Sequence, residues 1–195
     1  MKDNKHNERC RDCKINVERC LEEIFGRVES NRDLDVPCRL DDYRNTEIYQ
    51  IIEPIYEALQ NHRGFNNFVR SKKLPRVDYF VPNINLIVEF DESQHFTQPR
   101  DISLSFYSAD VRSVGYSAKK WRSICQQLQM CDNDPVYRDE QRAWYDTIRD
   151  FVPILWSTGY TARLFSRDYA WCTLDPKKEN DLNIFKQFLS NKLSD

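Results

Sequence analysis

The sequence lacks any long hydrophobic run. No stretch approaches the roughly 18 consecutive apolar residues that a membrane-spanning helix needs. The amino-terminal segment MKDNKHNERCRDCK is charged and has no apolar run, so we expect no secretory signal peptide. Seven cysteines, an odd number without an export signal, favour a reducing compartment over a disulfide framework. We therefore expect a cytoplasmic protein with no membrane partner.

The sequence also lacks a strong net charge, internal repeats and low-complexity tracts. A formal charge of −2 does not by itself indicate a nucleic-acid-binding protein, so any such function must depend on local basic patches. The length of 195 residues fits one domain with additions. With 40% hydrophobic residues, the chain can bury a substantial core.

The stretch Arg76–Phe96, RVDYFVPNINLIVEFDESQHF, combines two apolar runs with acidic residues. Side chains alternate between faces in a strand, so Glu89 and Asp91 project together. The Pro-Asn break between the runs is short enough for a hairpin, which would place Asp78 beside Glu89. Three carboxylates held together repel one another unless a cation offsets the repulsion, and Mg²⁺ prefers oxygen ligands of this kind.

An alternative for the same acids is structural. Asp78 would cap a turn, and Glu89 and Asp91 would lie on a solvated strand face, as is common in antiparallel sheets. The run NLIVEF is apolar at nearly every position before the acids, which is typical of a strand covered on both faces. This apolar density favours acids at the rim of a cleft.

These residues resemble the PD-(D/E)XK nuclease superfamily, in particular its restriction endonuclease-like branch that includes very short patch repair endonucleases. The resemblance is carried by Asp78, by Glu89-Phe90-Asp91 at the end of an apolar strand, and by Gln94-His95, and it covers roughly residues 45–171. The sequence departs from the family pattern twice. No proline directly precedes Asp78, and Asp91 stands where the usual lysine would be. The motif therefore does not identify the group that accepts the proton of the attacking water.

The resemblance implies a divalent-metal-dependent DNA endonuclease, of restriction or defence type, that uses Mg²⁺ or Mn²⁺. Asp78, Glu89 and Asp91 would bind the metal, and Gln94 could position the attacking water. His95 would accept or relay a proton, or only orient its neighbours. The alternatives are a repair endonuclease, an inactive nuclease-fold module that binds DNA or a partner protein, and a zinc-stabilised regulator. A homodimer or a partner protein could serve double-strand cleavage.

The segment preceding Asp78 is rich in cations and has no acid. Such cations could hold a polyanion that the acids would repel, although a solubilising loop has the same composition. The resemblance adds Arg142, for which an exposed helix ion pair is the alternative. The predicted substrate-binding residues are Arg63, Arg70, Lys72, Lys73, Arg76 and Arg142.

We predict an α/β fold with the αβββαβ core of the resembling superfamily, a mixed sheet flanked by helices. The core spans residues 41–172, with an insertion at about 97–135, and residues 173–195 form a carboxyl-terminal helix. The first strand is expected within Asn61–Arg76, and the last within Tyr160–Phe165. Residues 1–40 are expected to form an amino-terminal helical extension.

Cys10 and Cys13 form a CxxC pair, which predicts a candidate structural zinc site. No second CxxC pair is present, although Cys20, Cys38 and His6 lie nearby in sequence. Cys20 falls on an apolar helical face, where a cysteine is more often part of the packing. The amino-terminal cysteines could therefore either bind zinc or only pack in the apolar core.

Overall fold

A four-stranded sheet organises the computed structural model, which describes residues 8, 10–108 and 111–189. The strands are β1 (Glu29–Arg32), β2 (Val77–Val81), β3 (Leu86–Asp91) and β4 (Tyr160–Phe165), and they lie side by side in chain order. β2 is antiparallel to both β1 and β3, whereas β3 and β4 are parallel. The sheet is therefore mixed.

Helices cover both faces of this sheet. The described helices are α1 (Arg11–Phe25), α2 (Tyr49–Arg63), α3 (Gln98–Leu104), α4 (Ala118–Leu128), α5 (Arg138–Phe151) and α6 (Glu179–Leu189). Leu86, Val88 and Phe90 of β3 pack with α1 and α6, whereas Ile87 packs with α2 and α5. All six residues of β3 are buried. The apolar run predicted this for the apolar positions, whereas Glu89 and Asp91 were expected at the rim of a cleft. The predicted α/β class, with a mixed sheet flanked by helices, is confirmed.

The residues between β3 and α5 pack around a third apolar cluster. Phe96, Leu104, Trp121 and Cys125 are buried there together with Phe165 at the end of β4. Ser117 caps α4 by accepting a hydrogen bond from the backbone N–H of Lys120. The predicted insertion is thus a helical layer that packs against the end of the sheet.

The first strand lies elsewhere than predicted. No strand forms within Asn61–Arg76; that segment is irregular after α2 and is anchored by the buried side chains of Phe68 and Leu74. The neighbour of β2 is instead β1, whose sequence ESNR has no apolar alternation because it is a short, partly exposed edge strand. Residues 11–32, predicted to belong to an extension, supply α1 and β1 to the sheet and its core.

None of the described helices is both long enough and apolar enough to span a membrane. His6, which lies near the CxxC pair in sequence, and residues 190–195 of the predicted carboxyl-terminal helix lie outside the described residues.

Candidate functional site

Asp78 and Glu89 meet where β2 and β3 separate. The last paired residues are Tyr79 and Val88, so Asp78 and Glu89 occupy the next opposing positions. The Asp78 carboxylate accepts a 2.9 Å hydrogen bond from the backbone N–H of Phe90, and the Glu89 carboxylate accepts one of 3.3 Å from the N–H of Asp78. The two acidic side chains therefore take the place of the backbone ladder at this junction.

Glu89 is in an unfavourable environment for a negative charge. It is 5% exposed, and burial, opposed by Arg149, raises its pKa to about 7, with Asp78 adding repulsion. The Nε atom of Arg149 lies 3.3 Å from Oε1 of Glu89, but its geometry is not that of a hydrogen bond. The contact is therefore a charge interaction only. A cation at this junction would offset the remaining cost.

Asp91 does not join this pair, which corrects the predicted three-carboxylate cluster. The Asp91 carboxylate is 1% exposed and accepts hydrogen bonds from Arg163 at 2.8 Å and from the indole N–H of Trp121 at 2.7 Å. Strand parity placed Asp91 on the face of Glu89, but could not show that β4 presents an arginine to it. Among the described residues, the only group of three metal-ligand side chains with atoms within 4.8 Å of one another is a different one.

A buried ion network lies beneath the carboxylate pair. Asp146 and Asp150, both on α5, pair with Arg163 of β4 at 3.3 and 3.0 Å, and Asp150 also receives a 2.8 Å hydrogen bond from Arg100. The network and the adjoining Glu89 contain one more carboxylate than guanidinium. The members are Glu89, Asp91, Arg100, Asp146, Arg149, Asp150 and Arg163.

Sequence reasoning missed Asp146 and Asp150. A signal was present, because Asp139, Ala143, Asp146 and Asp150 recur at helical spacing and therefore share the buried face of α5. Acids on an apolar helical stripe indicate a buried ion network or a functional site.

His95 is held by this network. Its Nδ1 atom lies 3.2 Å from Oδ2 of Asp146 and 3.6 Å from Oδ1 of Asp91. Burial would lower the pKa of His95, but the charge and hydrogen bond of Asp146 outweigh it, and the pKa is raised. Because Nδ1 is engaged, Nε2 is the nitrogen left to accept a proton from a ligand.

Gln94 lies beside His95 on the turn that follows β3. Its side-chain amide donates a 3.2 Å hydrogen bond to Glu92, and its backbone carbonyl accepts one of 2.8 Å from Arg142. Arg142 thus ties α5 to this turn. The side chain of Gln94 is exposed.

Lys14 of α1 reaches the same end of the sheet. Its ammonium lies 3.5 Å from Oδ1 of Asp78 and 3.7 Å from Oε1 of Glu92. Sequence reasoning missed Lys14, because 64 residues separate it from Asp78 and no motif links them. The Asp78 side chain remains 26% exposed, so the junction is open to solvent.

Two of the predicted substrate-binding arginines are already neutralised. Arg63 makes a two-pronged ion pair with the buried Glu140, with both contacts at 2.6 Å. Arg142 lies 3.0 Å from Asp132. Neither guanidinium is available to a phosphate without giving up a carboxylate.

The other predicted cations lie in the irregular chain between α2 and β2. Arg70 stacks on the ring of Tyr137, with its guanidinium carbon 5.1 Å from the ring centroid. Lys73 forms an ion pair with Asp35. Lys72 and Arg76 are exposed. Arg76 is two residues from Asp78, which makes it the predicted cation nearest to the carboxylate pair in sequence.

Three thiols form a second cluster that could hold a metal ion. The Sγ atoms of Cys10, Cys13 and Cys172 lie within 4.8 Å of one another. Cys20 and Cys38 are not members of this group. Cys20 lies on the buried face of α1, in the same apolar cluster as Cys13, and Cys38 donates a 3.0 Å hydrogen bond to the carbonyl of Ser71.

A cavity of about 440 Å³ lies away from both clusters. It is lined by residues of α2, α3, α4 and α5, among them Arg63, Asp101 and Asp139, and by neither Asp78 nor Glu89. Its position therefore does not mark the carboxylate junction.

No protein-family model, curated protein or solved structure matches this chain.

Proposed function

We propose that this protein is a divalent-metal-dependent DNA endonuclease, of restriction or defence type, that hydrolyses phosphodiester bonds. The observation that carries the proposal is the junction of Asp78 and Glu89. Two carboxylates occupy opposing positions at the point where two strands part, and one of them is buried with a pKa of about 7. Such a pair is costly without a cation, and its oxygen atoms are suitable ligands for Mg²⁺ or Mn²⁺.

The order of the elements supports the same proposal. If α2 is set aside as an insertion between β1 and β2, and α3 and α4 as an insertion between β3 and α5, then α1, β1, β2, β3, α5 and β4 follow the αβββαβ order of the resembling nuclease superfamily. The acids lie at the start of the second strand and near the end of the third, as in the family pattern.

Asp78 and Glu89 would hold the metal ion, which supplies a bound water of lowered pKa and polarises the phosphate. His95 would accept the proton, since Asp146 engages its Nδ1 side and leaves Nε2 for the water. Its pKa is raised, so the neutral form that accepts a proton becomes more abundant as the pH rises. Cleavage should therefore be faster on the alkaline side of neutrality.

Lys14 offers the positive charge that the motif lacks at Asp91. The lysine of the family pattern is absent, and the Asp91 position is committed to Arg163. Lys14 brings an ammonium to within 3.5 Å of Asp78 from a different element. There it could meet the negative charge that develops on a phosphate during hydrolysis.

The experiment that tests this function is nicking of supercoiled plasmid DNA with Mg²⁺ or Mn²⁺, compared with a chelator control. We expect nicking by the parent protein and at least a ~100-fold slower rate for Asp78→Asn, because one of two metal-binding carboxylates is lost. Asp41→Asn changes an exposed acid of the short 3-10 helix Leu40–Tyr43 and is the matched control. Nicking at the parental rate by Asp78→Asn contradicts the proposal.

The second candidate is a nuclease-fold module that binds DNA or a partner protein without turnover. It is favoured by the missing lysine of the family pattern, since the Asp91 that stands in its place is paired with Arg163, and by the acidic net charge. Retarded migration of DNA on a gel without any nicking supports this candidate over the enzyme.

Lys14→Met should slow nicking by about 10- to 100-fold and leave the melting temperature nearly unchanged, because the ion pair of Lys14 is partly exposed. Lys14→Arg should recover part of the rate, and Lys177→Met, at an exposed lysine, serves as the control. If Lys14→Met cleaves as fast as the parent, Lys14 has no part in the reaction.

A further inference from the structure

The three-thiol cluster joins two parts of the chain that are far apart in sequence. Cys10 precedes the first turn of α1, and Cys13 lies within that turn. Cys172 belongs to the short 3-10 turn Trp171–Thr173 that follows β4. A ligand held by all three would therefore connect the start of α1 to the chain beyond the last strand.

This arrangement does not depend on the cysteines alone. The side-chain amide of Asn16, one turn after Cys13, donates hydrogen bonds of 2.8 Å to the carbonyl of Trp171 and 2.6 Å to that of Leu174. Asn16 is itself buried. These bonds fix the register of α1 against the turn, and so hold Cys13 opposite Cys172.

We propose that Cys10, Cys13 and Cys172 bind one zinc ion that fastens α1 to the segment after β4. Thiolates are soft ligands that select zinc over Mg²⁺ or Ca²⁺. Zn–S bonds of about 2.3 Å in a tetrahedron place the sulfur atoms about 3.8 Å apart, within the spacing of this cluster. Water can complete the fourth position.

Metal binding to the cluster is coupled to deprotonation, because zinc binds the thiolate form of cysteine. Zinc replaces the thiol protons, which pass to solvent, and it stabilises the thiolates. Cys38 lies in the other apolar cluster, and Cys20, although in the same cluster as Cys13, is not among the residues whose ligand atoms lie within 4.8 Å of one another.

The proposed zinc site has a consequence for the carboxylate junction. Lys14 directly follows Cys13 and contacts Asp78, so a metal at the start of α1 would hold the Lys14 backbone in place. This consequence rests on the proposed nuclease function, whereas zinc binding itself does not.

The test is metal content and cobalt spectroscopy on the full-length protein, both measured without DNA. Protein purified without chelators from zinc-supplemented medium should contain about one zinc per chain. After replacement by Co²⁺ it should show a thiolate-to-metal charge-transfer band. Cys172→Ser should lose most of the bound zinc, and Cys131→Ser, at an exposed cysteine outside the cluster, should keep it.

Three results would overturn the zinc site: parent protein without zinc and without the charge-transfer band, parental zinc content in Cys172→Ser, or a Cys10–Cys13 disulfide shown by two missing thiols in the denatured protein. Should Cys172→Ser fail to fold, Cys10→Ser at a half-exposed position answers the same question. Absence of plasmid nicking would leave the zinc result standing.

Discussion

Glu89→Gln is expected to reduce metal-dependent nicking by at least ~1,000-fold while leaving the protein at least as stable as the parent. Glutamine keeps the shape of the side chain but removes the negative charge that a metal ion requires. The charge is costly to bury: a shift of the Glu89 pKa from 4.5 to about 7 corresponds to on the order of 3 kcal/mol. Nicking rates and urea unfolding of the two proteins give the two quantities.

The pH dependence of stability provides a check on the same residue. Because the folded-state pKa of Glu89 is raised, the folded state of the metal-free parent should lose stability as the pH increases from about 4.5 to about 7. Glu89→Gln should lack this part of the slope, and Glu179→Gln, at an exposed acid on α6, should keep it. Stability lost in Glu89→Gln at pH 8 would mean that Glu89 is a structural ion-pair partner, not a site for a cation.

Arg163→Met should destabilise the protein by about 3–5 kcal/mol or prevent folding, because it leaves buried acids without their shared partner. Arg163 contacts Asp91 at 2.8 Å, Asp150 at 3.0 Å and Asp146 at 3.3 Å, and it is fully buried. Removing this one arginine therefore leaves more than one buried carboxylate without its ion-pair partner. Urea unfolding monitored by tryptophan fluorescence measures the loss.

The control for this substitution is Arg27→Met, at an arginine that is 71% exposed, whose ion pair with Glu29 should contribute less than about 1 kcal/mol. Equal stability of Arg163→Met and Arg27→Met would show that the buried network is not needed for the fold.

Local sequence patterns predicted several elements well. The apolar run in Ile84–Phe90 predicted a strand covered on both faces, and the alternation of Tyr160–Phe165 predicted β4 with its observed bounds. Both signals arise from burial of the strand itself. β1 gave no such signal, because an edge strand of sequence ESNR buries little apolar surface.

The candidate site could be predicted only for residues that lie close together in the sequence. Asp78 and Glu89 lie on neighbouring strands of one hairpin, so pattern and spacing could bring them together. Lys14 and Cys172 reach their partners through packing of α1 against the sheet and the turn after β4. No sequence spacing encodes that packing.

Asp91 illustrates a different limit. Strand parity gave its face correctly but not its neighbour, because the residue beside it comes from β4, more than 70 positions later in the chain. A buried arginine there converts a predicted metal ligand into a structural ion-pair partner.

The central claim is that Asp78 and Glu89 bind one divalent cation together. The most direct measurement is the anomalous scattering of Mn²⁺ in crystals of the protein soaked with the metal. The account predicts a single peak within coordination distance of a carboxylate oxygen of both residues, and no such peak in Glu89→Gln. A peak elsewhere on the sheet, or Asp78 and Glu89 still bonded only to backbone and Lys14 at saturating Mn²⁺, would contradict it.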